Sequence, residues 1–175
     1  MARVKYIQRA ESPNQAIFDR LERERKMPTA NIFLALTQTP EMLDGFLTYA
    51  NSLRSSPLNP ALRELAILTV GHLTRSRYEI AHHQSHGLKA GLTQAQLEEV
   101  PDFETSSLYS IEQKAVMAFA KDSTLNVDVG VETWEKVAAF LSQPELIALV
   151  LVVAWYNSGV RIMGGLDIEL EESHR

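Results

Sequence analysis

Apolar and polar residues recur along this chain with helical spacing from end to end, and no clean run of period-2 alternation appears. The pattern predicts an all-α protein. A charged first segment, roughly residues 13 to 26, contains "FDRLERERK" and is expected on the surface. A second short helix would hold "ANIFLALT". The third begins in "TPEMLDGFLTYANSL", with Thr39 as N-cap and Pro40 at the first helical position. "NPALRELAILTVGHL" repeats that device with Asn59 and Pro60. Its positions Leu62, Leu65, Ala66, Leu68, Thr69 and Leu73 mark a wide buried face. Next comes "SRYEIAHHQSHGLKAG", where Ser76 and Glu79 have capping-box spacing and Gly91 is a fitting stop. Thr93 with Gln96, and Ser110 with Gln113, announce two more capped starts on either side of a looser stretch, "PDFETSSLYS". "NVDVGV" reads as a loop and "ETWEKVAAFLS" as the penultimate helix. "QPELIALVLVVAWYNSGVRIMGG" is the last long helix, which Gly164 and Gly165 should stop. The acidic tail "DIELEESHR" is expected to fray.

Between Leu146 and Tyr156 the last helix is apolar almost all round, so it must be covered on every side. Either it is the central helix of the bundle, or it is shared at a subunit interface; a homo-oligomer is the expectation. The apolar run itself is too short to span a bilayer, which needs about 20 residues. The N-terminus lacks the apolar run of a signal peptide. No membrane partner is therefore expected.

Length and composition narrow the picture further. The chain has 175 residues, enough for one domain with a real core. A net charge of −5 gives no basic patch and no reason to expect nucleic acid. There is no cysteine, which removes disulfides, thiolate metal ligands and thiol redox chemistry together, and fits a cytoplasmic protein.

The candidate chemistry lies in "SRYEIAHHQSHG", residues 76 to 87. Three of the chain's five histidines fall there, with the next one downstream only at His174. At 3.6 residues per turn, Glu79, His83 and His86 form one narrow stripe, with His82 about 60° to one side. Tyr78, Ala81, Ser85 and Leu88 form a neighbouring face expected to pack on the core. Three readings of this cluster are open. Glu79 can be the reciprocal half of a capping box, with the histidines only polar surface. His82 and His86, four apart, can hold a metal ion with Glu79 as an added ligand. Or Glu79 and His83, also four apart, can form an acid–base pair near neutral pH.

"RELAILTVGHLTRSRYEIAHHQSHGLKAGLTQAQLEEV", residues 63 to 100, resembles the core of the carboxymuconolactone decarboxylase family. That superfamily also holds the alkylhydroperoxidase D proteins. Their peroxidase branch is marked by a glutamate, then C-x-x-C, then a histidine. Here Glu64 stands at the glutamate, Ser76 and Glu79 stand at the two cysteines, and His83 stands at the histidine. The frame is kept and both thiols are gone, so thiol peroxidase chemistry is excluded on chemical grounds. The decarboxylase branch resembles E-L-x-x-H at this place, which "EIAHH" matches with Glu79 and His83.

The resemblance implies an alkylhydroperoxidase D-like helical bundle. It implies one domain over 1–175, with a family core at about 40–125, an N-terminal helical extension and C-terminal helices over 131–164. It also implies a cofactor-free lyase acting on a small carboxylated lactone or related acid in aromatic compound catabolism. Glu79, His83 and Glu64 would be catalytic; His82, His86, Tyr78 and Arg77 would bind substrate, and no metal would be needed. Arg63, Arg75 and Arg161 are further possible anchors for a substrate carboxylate. Trp155 and Tyr156 are candidates to line a pocket or to fill core. His72 is expected to be a core histidine bonded to a backbone carbonyl. A non-catalytic scaffold or ligand-binding protein of the same fold, and a metal-dependent enzyme using the His82, His83 and His86 cluster, are the competing readings.

Overall fold

The computed structural model describes residues 2–172. His174 and the end of the acidic tail lie outside the described residues. Among those residues the secondary structure is helical, with no strand. The chain parts into two compact units, one of residues 1–54 and 162–175 and the other of residues 55–161.

The first unit holds α1 (Gln15–Glu24), α2 (Asn31–Leu36) and α3 (Pro40–Arg54). Its core is Ile17, Phe18, Leu21, Leu34, Leu43 and Leu47. Asn14 caps α1 by accepting from the Ile17 amide. Thr39 does not cap α3 with its side chain as expected; its hydroxyl donates instead to the Leu36 carbonyl. The two chain ends meet within this unit. The Arg3 amide donates to the Leu166 carbonyl at 2.9 Å, and the Glu169 amide donates to the Tyr6 hydroxyl at 3.1 Å.

The larger unit holds α4 (Pro60–Leu73), α5 (Arg77–Lys89), α6 (Gln94–Glu98), α7 (Ile111–Asn126), α8 (Val131–Ala138) and most of α9 (Gln143–Leu166). Asn59 caps α4 through its side chain, and Pro60 occupies the first turn where no amide partner is lost. The capping boxes of α6 and α7 form as the sequence predicts. Gly91, with φ +95°, takes the left-handed conformation that ends α5. Gly164 and Gly165 do not stop α9. The helix runs on to Leu166, and Asp167 supplies the left-handed residue after it.

The central helix is α4, not α9. Every residue of α4 from Glu64 to Gly71 is buried. One side of it, Ala66 and Val70, packs with Val116 and Phe119 of α7 and with Leu149 and Val153 of α9. Another side, Leu65 and Leu68, packs with Leu97, Val100 and Met117. By length and composition the 24-residue α9 could cross a bilayer. Yet Leu146, Leu149, Val152 and Val153 are buried, and three of them belong to the core just described. Its other face, with Ile147, Val150 and Leu151, is exposed. The all-round apolar pattern thus covers two different surfaces of one helix.

Gly71 eases the approach of α4 to α5. A Cβ at that position would sit 3.3 Å from Ile80 Cγ1 and 3.5 Å from Glu79 Cβ. Gly71 lies seven residues after Glu64, two turns along the same face, so the face that meets α5 also bears Glu64.

Leu149 is fully buried where α4, α7 and α9 meet. Leu149→Ala should lower stability by roughly 2–5 kcal/mol. Urea unfolding, read from the midpoint at unchanged slope, measures the loss.

Candidate active site

His83 of α5 lies between two carboxylates. Its Nδ1 is 2.7 Å from Glu64 Oε2 of α4, and its Nε2 is 3.5 Å from Glu79 Oε2 one turn earlier on its own helix. Glu64 is held from its other oxygen by Arg63 Nε at 3.3 Å. The side chains of His83 and Glu79 are each only 12% exposed, and that of Glu64 is 5% exposed. Pairs this sheltered are poorly screened by water and salt.

Glu79 turns toward His83 because the helix start does not need it. Ser76 does cap α5, accepting from the Glu79 amide at 3.4 Å. The reciprocal arm of the expected box is missing. Ser76's own amide, which Glu79 would have accepted, instead donates to the Gly71 carbonyl at 2.8 Å. With that amide satisfied by the preceding helix, the Glu79 carboxyl lies 3.6 Å from where a Cβ of Gly159 in α9 would stand.

Burial and charge set the protonation pattern. Burial pushes the Glu79 carboxyl up, and the neighbouring His83 and His82 only partly oppose it. Burial would also push Glu64 up, but the hydrogen bond and charge of His83, with Arg63 and His86 beside it, hold Glu64 below its ordinary value. Burial opposes a charge on His83. The Glu64 hydrogen bond and the two carboxylates outweigh it, and the imidazolium is favoured. One imidazolium cannot neutralise two buried carboxylates, so the better-bonded Glu64 ionises and Glu79 tends to stay neutral. The tendency to hold a proton thus lies with His83 and Glu79, and the tendency to ionise with Glu64.

The remaining candidates divide. Tyr78 is buried and stacks on His82, with ring centroids 4.4 Å apart and planes 14° from parallel. His86 is exposed, its ring 5.2 Å from that of His83. Arg77 and Arg75 are exposed at the start of α5. Arg161 uses one guanidinium nitrogen on Asn157, bonding its carbonyl at 2.7 Å and its side-chain oxygen at 2.8 Å. His72 is not bonded to a carbonyl through its buried Nε2, which has no hydrogen-bond partner; burial alone pushes its pKa down. Tyr156 meets His83 edge-on, with centroids 5.0 Å apart at 89°. Tyr156 and Gly159 bring α9 to the site, which a reading of the histidine helix alone does not reveal.

Residues 40–122 match the model of the carboxymuconolactone decarboxylase family. That segment is similar to the family, and the chain has no cysteine. Solved structures share the fold. An uncharacterized peroxidase-related protein with an alkylhydroperoxidase AhpD core, from Ralstonia eutropha JMP134, superposes with a TM-score of 0.83 at 15% identity, covering 99% of this chain and 94% of that one. A variant of the debrominase Bmp8 in complex with 2,3,4-tribromopyrrole gives a TM-score of 0.79 at 19% identity, covering 98% and 93%. An uncharacterized peroxidase-related protein from Silicibacter sp. TM1040 gives 0.77 at 16%, covering 91% and 85%. At these identities the likeness establishes the alkylhydroperoxidase D-like helical fold. No curated protein matches the chain.

The shifts of Glu64 and His83 predict a pH window for stability. A lowered Glu64 contributes fully above its ordinary 4.5, and the contribution is lost as pH falls through its depressed folded value. A raised His83 contributes fully below its ordinary 6.5, and the contribution is lost as pH rises through its elevated folded value. The ion pair should thus stabilise the protein most between those two ordinary values. Melting temperature followed from pH 3 to pH 9 should fall on both sides, and His83→Gln should remove the acid limb as well as the His83 share of the alkaline one, because the lowering of Glu64 depends on His83.

Proposed function

We propose that the protein is a cofactor-free lyase that decarboxylates a small carboxylated lactone or related acid, in a cytoplasmic setting. The observation behind this reading is the buried Glu64–His83–Glu79 arrangement, in which one ring nitrogen is fixed and the other is flanked by a carboxyl that tends to stay neutral. The family match over residues 40–122 supports the reaction class. The tribromopyrrole held by the debrominase variant supports a small ring as the size of ligand.

In a γ-carboxylated unsaturated lactone, the bond between the ring and its carboxylate breaks and carbon dioxide leaves. The electron pair passes into the conjugated lactone carbonyl, giving a dienolate. One proton delivered to carbon completes the reaction. Glu64 is the positioning residue: its short bond to Nδ1 sets the ring's orientation, as the buried acid does in a hydrolase triad. His83 Nε2 then faces the substrate side and is the acid that protonates carbon. Its charge also favours the oxyanion that forms before protonation. Glu79 resupplies the proton to Nε2 and recovers its own from water. His82, His86, Tyr78 and Arg77 are the proposed substrate-binding residues, with His82 braced by its stack on Tyr78.

Purified protein assayed spectrophotometrically with 4-carboxymuconolactone, with and without chelator, should show chelator-resistant turnover. Glu79→Gln and His83→Ala should each lower kcat by about 10²- to 10⁴-fold, the usual range for loss of a general acid. Both should keep a native circular dichroism spectrum, with a lowered melting temperature in His83→Ala because it leaves Glu64 buried without its partner. Full activity in either variant rejects the mechanism. No turnover in the parent, with other small acids also unchanged, favours a binding role for the same fold.

We further propose that the chain assembles as a homo-oligomer through the exposed face of α9. Ile147, Val150 and Leu151 lie three and four residues apart, as one apolar stripe on a helix whose opposite face is already core. Light scattering at micromolar concentration should give a mass above that of one chain, 19.6 kDa. Ile147→Glu should reduce it, and a monomeric parent would reject the proposal.

A further inference from the structure

Glu64, His83 and His86 each present one ligand atom, and these atoms all lie within 4.8 Å of one another. We infer that Glu64, His83 and His86 form a binding site for a first-row divalent cation, with zinc as the natural probe. The inference shares the Glu64–His83 pair with the proposed lyase site, but its test requires no turnover.

The donor chemistry suits such an ion. One carboxylate oxygen and two imidazole nitrogens make the three-ligand set that holds zinc while leaving a position open. Two of the three ligands come from one helix at i and i+3, a spacing that helical bundles use to aim two ligands at one ion. The third comes from the adjacent helix, so the site ties α4 to α5. Its members grade from buried Glu64 through half-buried His83 to exposed His86, which gives the ion a route in from solvent.

Two further contacts act as supports that metal sites ordinarily need. A ligating imidazole is commonly fixed by a carboxylate on its other nitrogen. If the ion lies on the Nδ1 side of His83, where Glu64 Oε2 already stands at 2.7 Å, Nε2 faces Glu79 at 3.5 Å. Arg63 holds the other oxygen of Glu64, which leaves Oε2 as its ligand atom. The required adjustment is a rotamer-scale closing of His86, since the three atoms now spread over as much as 4.8 Å, and a slight parting of the other two ligands. Metal–ligand bonds of about 2.0–2.1 Å in a tetrahedron put neighbouring ligand atoms roughly 3.3 Å apart. Glu64 and His83 would need to part by roughly 0.6 Å to reach that spacing.

The ligand set differs from the one that histidine spacing alone suggests. His82 belongs to a different contact: its ring lies flat against Tyr78. Glu64, nineteen residues before His83, takes its place. Occupation would also have a functional consequence. An ion held by Glu64 and His83 stands where their shared proton is, so the loaded and the proton-transferring states exclude each other.

The test uses the full chain purified without a histidine tag, stripped with chelator and titrated with zinc in a calorimeter. One zinc per chain at micromolar affinity or tighter is the expected result. His86→Ala should weaken binding at least tenfold, and His82→Ala should change it less than twofold. His86 is exposed, so His86→Ala is expected to fold, and circular dichroism verifies that it does. Cobalt titration provides a second reading: intense visible bands should appear in the parent and vanish in His86→Ala. No zinc uptake at micromolar concentration overturns the inference. So does binding that survives His86→Ala, or binding lost in His82→Ala instead.

Discussion

A hydrogen bond between a buried carboxyl group and a sheltered imidazole organises this molecule. Glu64 and His83 come from different helices, and each would be costly to bury alone. Together they satisfy each other, and the remaining carboxylate oxygen is met by Arg63. The pair requires α4 and α5 to run close, which the absence of a side chain at Gly71 eases. It also requires α4 to be walled in on its other sides, which the two apolar clusters of residues 55–161 accomplish. Breaking one partner would leave a charge stranded in a nearly dry place, so the packing and the chemistry are difficult to change separately.

The asymmetry of the two glutamates follows from the same arrangement. Both face one ring, but only Glu64 has a short bond and an arginine. Glu79 has a longer contact and little water around it. Identical side chains thus acquire opposite tendencies, one toward the anion and one toward the acid. Environment assigns the roles, and the residue type alone does not.

Much of this was legible in the chain. The helices and most of their caps are local features, and Asn59, Thr93 and Ser110 announced them because capping acts over three residues. Glu79 and His83 were recognisable as a pair because both lie on one helix face. Three things were not legible. That Ser76's amide would find the Gly71 carbonyl depends on how two helices join. That Glu64, rather than Glu79, makes the shorter bond to His83 depends on a packing distance. That Tyr156 and Gly159 approach the site depends on where α9 docks within the larger unit. The apolar run of α9 misled for a related reason. Periodicity cannot separate a helix buried on all sides from one with a core face and a bare apolar face.

The amide contact between Ser76 and Gly71 has a consequence for how such a site can change over time. Because the last turn of α4 completes the start of α5, the side chain at position 79 contributes nothing obligatory to that start beyond its own amide. A carboxylate, a thiol or another small reactive group could stand there without unravelling the first turn. The fold therefore offers a socket: the helix terminus, the histidine and its buried acid form the fixed mount, and the reagent plugged in beside them is exchangeable. A lineage built on this frame can move between kinds of chemistry through one position, with the scaffold's stability largely left out of the transaction.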